Sequence, residues 1–119
     1  MAEYMFLIYG DEAGYADATE EDWALMMKAH GEFAEQVTKL GGTISEGNAL
    51  APTPTATSVR AQSSGAHAVT DGPFAETKEA LGGYYVVGAK DLDEAISFAK
   101  LVPTTGCVEV RPVMDTSGG

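Results

Sequence analysis

The sequence predicts an α+β sandwich in which two helices cover one face of an antiparallel sheet. Three observations predict it. Apolar or alternating runs recur at 4–9, 43–45, 56–62, 67–70, 84–87 and 107–111. Two stretches between them, Thr19 to Leu40 and Asp91 to Leu101, carry apolar residues at spacings of three and four. The resulting order is strand, helix, strand, hairpin, strand, helix, strand, which fits a sandwich of ferredoxin-like type. The 119 residues suffice for one domain, expected over 1–114 with a frayed tail over 115–119.

Tyr4-Met5-Phe6-Leu7-Ile8-Tyr9 is aromatic and apolar without a break, so the first strand is expected to be buried on both faces or nearly so. Asp11 to Ala18 reads as a loop. Thr19 is placed to cap the first helix, and Asp22 stands where a capping box has its Glu. Trp23, Met26, Met27, His30, Phe33, Ala34, Val37 and Leu40 form its apolar stripe, and Gly41-Gly42 ends it.

Thr43-Ile44-Ser45 starts a second strand, and Pro52 and Pro54 stiffen the connection that follows. Ala56 to Gln62 and His67 to Thr70 read as a hairpin turning at Ser63-Ser64-Gly65. Ala75 to Leu81 fits one or two helical turns, and Gly82-Gly83 resets the backbone before the strand Tyr84-Tyr85-Val86-Val87. Asp91 caps the second helix, Pro103 stops it, and Cys107 to Arg111 alternates as the last strand. The sheet face opposite the helices also carries aromatic and β-branched residues. A homodimer packed sheet to sheet is therefore expected.

Charge excludes some functions. Seven basic residues against 18 acidic ones give a net charge of −11. Phosphate backbones and anionic lipid both require clustered cations, so neither nucleic acid nor a membrane surface is an expected partner. No apolar run approaches a membrane span, and Met1-Ala2-Glu3-Tyr4 lacks the features of a signal peptide, so a cytoplasmic protein is expected. One cysteine, Cys107, forms no internal disulfide and reads as a small buried residue. Two His and one Cys are too few for a closed His/Cys zinc site, and no metal is expected. No P-loop, dinucleotide fingerprint or nucleophile elbow is present, and no cofactor is expected.

Four groups of residues could carry chemistry. Asp71-Gly72-Pro73-Phe74 is the most unusual local feature, because an Asx-turn at Asp71 would fix one carboxylate and one aromatic ring beside a sheet end. The plainer reading is a structural turn. His30, on the apolar stripe, needs a hydrogen-bond partner and could move protons near neutral pH. Bonded to a backbone carbonyl, it would be structural instead. Arg60, one of few cations, could receive a carboxylate or phenolate, or simply pair with an acid of this chain. Pro73, Phe74, Glu76 and Lys78 are candidates to touch a substrate, although Glu76, Lys78 and Glu79 also suit a solvated face. Arg111 is a further cation, and His67 reads as a surface residue.

Asp71-Gly72-Pro73-Phe74-Ala75-Glu76-Thr77-Lys78-Glu79 resembles the signature of the YCII-related family in its DGPF-domain branch. Tyr4 to Gly10, Thr57 to Arg60, Leu81 to Tyr85 and Val108 to Pro112 resemble other segments of that bacterial family. The resemblance implies a ferredoxin-like fold whose dimers form an α/β barrel. It implies a site built from a helix-one His and an Asp near the sheet, here His30 and Asp71. It also implies a regulatory setting for some members, beside extracytoplasmic-function sigma factors.

Two functions of different class follow. In one, His30 is general acid/base, Asp71 orients it and Arg60 holds an anionic group of a small molecule, without a redox cofactor. In the other, the same cavity binds a ligand without chemistry, and the dimer contacts a protein partner such as a sigma factor.

Overall fold

The structure is a computed structural model that describes residues 1–15 and 17–117. Six strands and two helices follow the expected order: β1 Ala2–Gly10, α1 Glu20–Lys39, β2 Thr43–Ala49, β3 Thr57–Ala61, β4 His67–Asp71, β5 Ala80–Ala89, α2 Leu92–Ala99 and β6 Cys107–Pro112. Of the predicted loop 11–18, Glu12–Tyr15 forms a 3-10 turn and Ala16 lies outside the described residues. Of the predicted tail, residues 118 and 119 also lie outside them.

The helix signals act as the side chains require. The Thr19 hydroxyl accepts from the Asp22 N–H at 3.1 Å, and the Asp22 carboxylate accepts from the Thr19 N–H at 2.9 Å. This is a capping box with Asp in place of Glu. At the other end Gly41 adopts φ +94°, and the N–H groups of Gly41 and Gly42 donate to the carbonyls of Thr38 and Val37. That pairing is a Schellman stop, which needs a residue without a Cβ penalty at Gly41. Asp91 caps α2 by accepting from the Glu94 N–H at 2.9 Å.

Four strands form an open antiparallel sheet in the order β2-β5-β1-β6. It is not a closed barrel. Alternation along the central strands divides its faces. Tyr4, Phe6, Val87 and Ala89 turn inward and pack with Phe33 and Val37 of α1 and Ala95 and Phe98 of α2. Both helices therefore share one face of the sheet. Met5, Leu7, Tyr84 and Val86 point to the opposite face and are half-buried, so the expectation of a strand buried on both faces holds only in part for β1. β3 and β4 pair only with each other, forming a separate two-stranded arm between β2 and β5.

Several expectations are corrected. The α1 stripe is buried only at Phe33 and Val37, while Trp23, Met27 and Leu40 are exposed. No helical turn forms over 75–79, where the chain bends and the Thr77 hydroxyl bonds to the Glu79 carbonyl. Gly82 and Gly83 do not end a segment but lie inside β5, where the register with β1 shifts at Gly82. A Cβ at Gly83 would sit 3.0 Å from the Asn48 carbonyl oxygen, so glycine there lets β2 approach closely. α2 ends at Ala99, two residues short of the predicted Leu101. Cys107 is exposed rather than buried, as the first residue of an edge strand.

Candidate functional site

His30 lies at the middle of α1, on the side that faces the sheet. Below it is Tyr85, which shares the inward face of β5 with Val87. His30 Nδ1 and Tyr85 Oη are 2.7 Å apart, a short hydrogen bond between two half-buried side chains. The Tyr85 ring is fixed from one side by Phe33, with centroids 5.0 Å apart and planes tilted by 46°. His30 meets the same ring at 5.9 Å and 33°.

Burial sets the protonation of both groups. It lowers the His30 pKa below the ordinary value, because an imidazolium loses more hydration than an imidazole. It raises the Tyr85 pKa, because a phenolate loses more than a phenol. At neutral pH the pair is thus a neutral imidazole beside a protonated phenol. Two tautomers fit this bond: Tyr85 O–H donates to Nδ1 with the ring proton on Nε2, or Nδ1–H donates to Oη and Nε2 is free to accept a proton.

The sign of the resulting pH dependence is fixed. The unfolded chain takes up a proton on His30 near pH 6.5, whereas the folded chain resists it until lower pH. The unfolded state therefore binds more protons in that window, and stability rises with pH across it. The contribution is complete above about pH 6.5 and is lost as pH falls toward the depressed folded value. Urea midpoints measured between pH 7.5 and 5.5 should fall in the wild type, and His30→Gln should remove that part of the slope. An equal slope in both proteins would show that His30 does not carry it.

The structure does not join His30 to Asp71. Asp71 ends β4 on the separate arm, is exposed, and forms no hydrogen bond through its carboxylate among the described residues. The expected Asx-turn is replaced by other contacts. Gly72 has φ +93°, its N–H donates to the Ala56 carbonyl at 2.7 Å, and the Ser58 hydroxyl donates to the Gly72 carbonyl at 2.7 Å. The Gly72–Pro73 bond is trans. The turn carries the chain back across the arm, so that Pro73 and Phe74 overhang one of its faces.

Arg60, Pro73 and Phe74 do come together. With Ser58, Ala68 and Thr70 they line an open cavity of about 530 Å³ on the arm. Register explains the wall: Ser58 faces Thr70 and Arg60 faces Ala68 across the two strands. The alternative for Arg60, an ion pair with an acid, does not form among the described residues. Among the described residues the ion pair that forms is Arg111 with Glu109, at 2.7 Å. Glu76 and Lys78 are exposed and do not line the cavity, and His67 is exposed as expected.

Sequence reasoning missed three polar groups. Tyr85 is the first, and alternation with Val87 could have marked it as an inward phenol in need of a partner. The second is on the outer sheet face, where the Tyr84 hydroxyl donates to Glu46 at 2.7 Å and accepts from Asn48 at 2.9 Å. The third is Glu12, whose carboxylate accepts from the Thr53 N–H at 2.8 Å and the Thr53 hydroxyl at 2.6 Å. Among the described residues no three His, Cys, Asp or Glu side chains cluster as metal ligands, and no helix is long and apolar enough to cross a membrane.

The YCII-related domain matches residues 2–117. This chain belongs to the YCII-related family. An uncharacterized protein of Rhizobium meliloti (strain 1021) is 36% identical over 116 residues, covering 92% of this chain and 90% of its own length. The family and its relative match nearly from end to end, so the His30–Tyr85 pair, the arm and the turn at Asp71 all lie within the family's domain.

Proposed function

We propose that this YCII-related protein is a cofactor-independent acid/base catalyst acting on a small carbonyl-bearing molecule, with His30 as the group that moves the proton. The observation that carries this reading is the 2.7 Å bond between His30 Nδ1 and Tyr85 Oη. It orients a half-buried imidazole that burial keeps neutral, and with Nδ1–H donating to Oη it leaves Nε2 as the free base at pH 7. Tyr85 takes the orienting role that the sequence assigns to Asp71. Asp71 remains a candidate second group, at the end of β4 opposite Thr57. Arg60 is proposed to hold an anionic group of the substrate, with Pro73 and Phe74 beside it.

The proposed working unit is a homodimer of the DGPF branch, in which two ferredoxin-like protomers pack sheet to sheet into an α/β barrel. Support comes from the outer face of the sheet, which has the anatomy of an interface. Met5, Leu7 and Val86 form its apolar centre. Tyr84 with Glu46 and Tyr9 with Glu109 form hydrogen-bonded polar pairs around it.

Proton transfer is testable without knowing the physiological substrate. A panel of small keto acids in D₂O, followed by proton NMR, should show deuterium entering next to the carbonyl of at least one member. His30→Gln should reduce that exchange by roughly 10²-fold or more, the usual contribution of a general base. Equal exchange in wild type and variant would remove His30 from the chemistry.

A second reading rests on the arm cavity. It pairs one cation with hydroxyls and an aromatic ring, and no carboxylate or imidazole is among its lining residues. Such a cavity suits capture of a small anion by a regulatory module that contacts a protein such as a sigma factor. Binding lost in Arg60→Ala and unaffected by His30→Gln would favour this second reading.

A further inference from the structure

The arm is the part of the molecule that its own fold explains least. β3 and β4 pack extensively only on each other. A lone two-stranded hairpin is marginal in water and needs a surface beneath it. One face of the arm is overhung by Pro73 and Phe74, but the other is bare. On that bare face Val59 and Val69 stand directly opposite each other, 63% and 66% exposed. The arm is also held away from the body. Glu12 clamps its base at Thr53, and the flanking Pro52 and Pro54 stiffen the connection. The radius of gyration is 16.6 Å, against about 13.5 Å for a compact chain of this length.

We propose that this hairpin is an exchange arm, which in the dimer leaves its own protomer and seats its Val59–Val69 face on the second copy. The proposal rests on the dimer described above and adds where the arm goes. Charge argues for a second copy as the occupant. From Thr57 to Asp71 the arm carries one cation, Arg60, and one acid, Asp71, so it has no net charge. The other 17 acids and six cations lie elsewhere. Two strongly acidic bodies repel each other, and the segment without net charge is the one that reaches out. Each arm would cover part of an acidic partner, and the exchange is reciprocal under a two-fold axis, so the assembly closes at two copies.

Arg60 supplies a natural probe, because trypsin cleaves after it and no other cation lies on the arm. The experiment measures the dimer dissociation constant by sedimentation and the rate of trypsin cleavage at Arg60, in wild type and in a Val59→Glu/Val69→Glu variant. Both positions are exposed in the protomer, so circular dichroism should confirm an unchanged fold. The expected result is cleavage slowed at least about tenfold in the wild-type dimer relative to dilute monomer, and a dissociation constant raised at least about tenfold in the variant. Cleavage independent of concentration, with equal dimerisation of both proteins, would overturn the arm proposal and leave the dimer standing. Protection without any weakening of the dimer would place the arm on its own protomer and overturn it too. A wild type that stays monomeric throughout would remove both.

Discussion

Phe98→Ala should cost about 3–5 kcal/mol of folding stability, the range for removing a buried aromatic ring. Phe98 is 1% exposed and sits where both helices and the sheet meet, with Phe6, Val37 and Val87 around it. Little can fill the space it would leave. A Cβ placed on Gly42 would lie 2.5 Å from the Phe98 ring, so bare backbone already touches it there. With no side chain at Gly42 to relax inward, the cavity stays open. Single domains have total stabilities of about 5–15 kcal/mol, so much of the folded population is at risk. Thermal melting should show a Tm at least about 10 °C lower. Phe74→Ala is the matched control. That ring is 80% exposed, and its loss should change stability by no more than about 0.5 kcal/mol. Equal losses at the two positions would show that the core is not where the burial pattern puts it.

Local chemistry made most of the fold legible. The Thr19 capping box, the Gly41 stop and the Asp91 cap each depend on a few adjacent residues, and each forms as expected. The hairpin turning at Gly65, with φ +89°, is equally local. What failed depends on distant partners. The α1 stripe runs the whole helix, but periodicity shows only which side is apolar, not how far the neighbouring layer extends. Trp23 and Met27 therefore look like Phe33 in sequence and differ in the structure. Gly82-Gly83 reads as a break because local rules favour turns. The close approach of β2 is what makes glycine fit within β5. At the candidate site, His30 was visible because a His on an apolar stripe needs a partner. The partner, Tyr85, is 55 residues away and emerges only when β5 is laid under α1.

The placement of His30 and Tyr85 on the helix side of the sheet has a consequence for the dimer. Chemistry at that pair and pairing through the outer sheet face use opposite surfaces, so each can be removed without touching the other. Val86→Glu tests this. Val86 lies at the middle of β5, directly opposite Met5 of β1, and points away from the helices. It is partly buried in the protomer and stands opposite Glu46 of β2, so circular dichroism should first confirm that the fold persists. In the proposed dimer the two-fold axis buries one such carboxylate from each copy, without a partner. Roughly 3–5 kcal/mol is lost for an unpaired buried charge. With two copies contributing, and tenfold in affinity for each 1.4 kcal/mol, the dissociation constant should rise by at least about 10⁴-fold. Light scattering at micromolar concentration should then report a 12.4 kDa monomer where the wild type is a dimer. The His30 titration should survive in that monomer, because the bond to Tyr85 lies within one protomer. A variant that remains dimeric would show that the outer sheet face is not the interface. A monomer that also loses the low His30 pKa would show that the site needs the second copy.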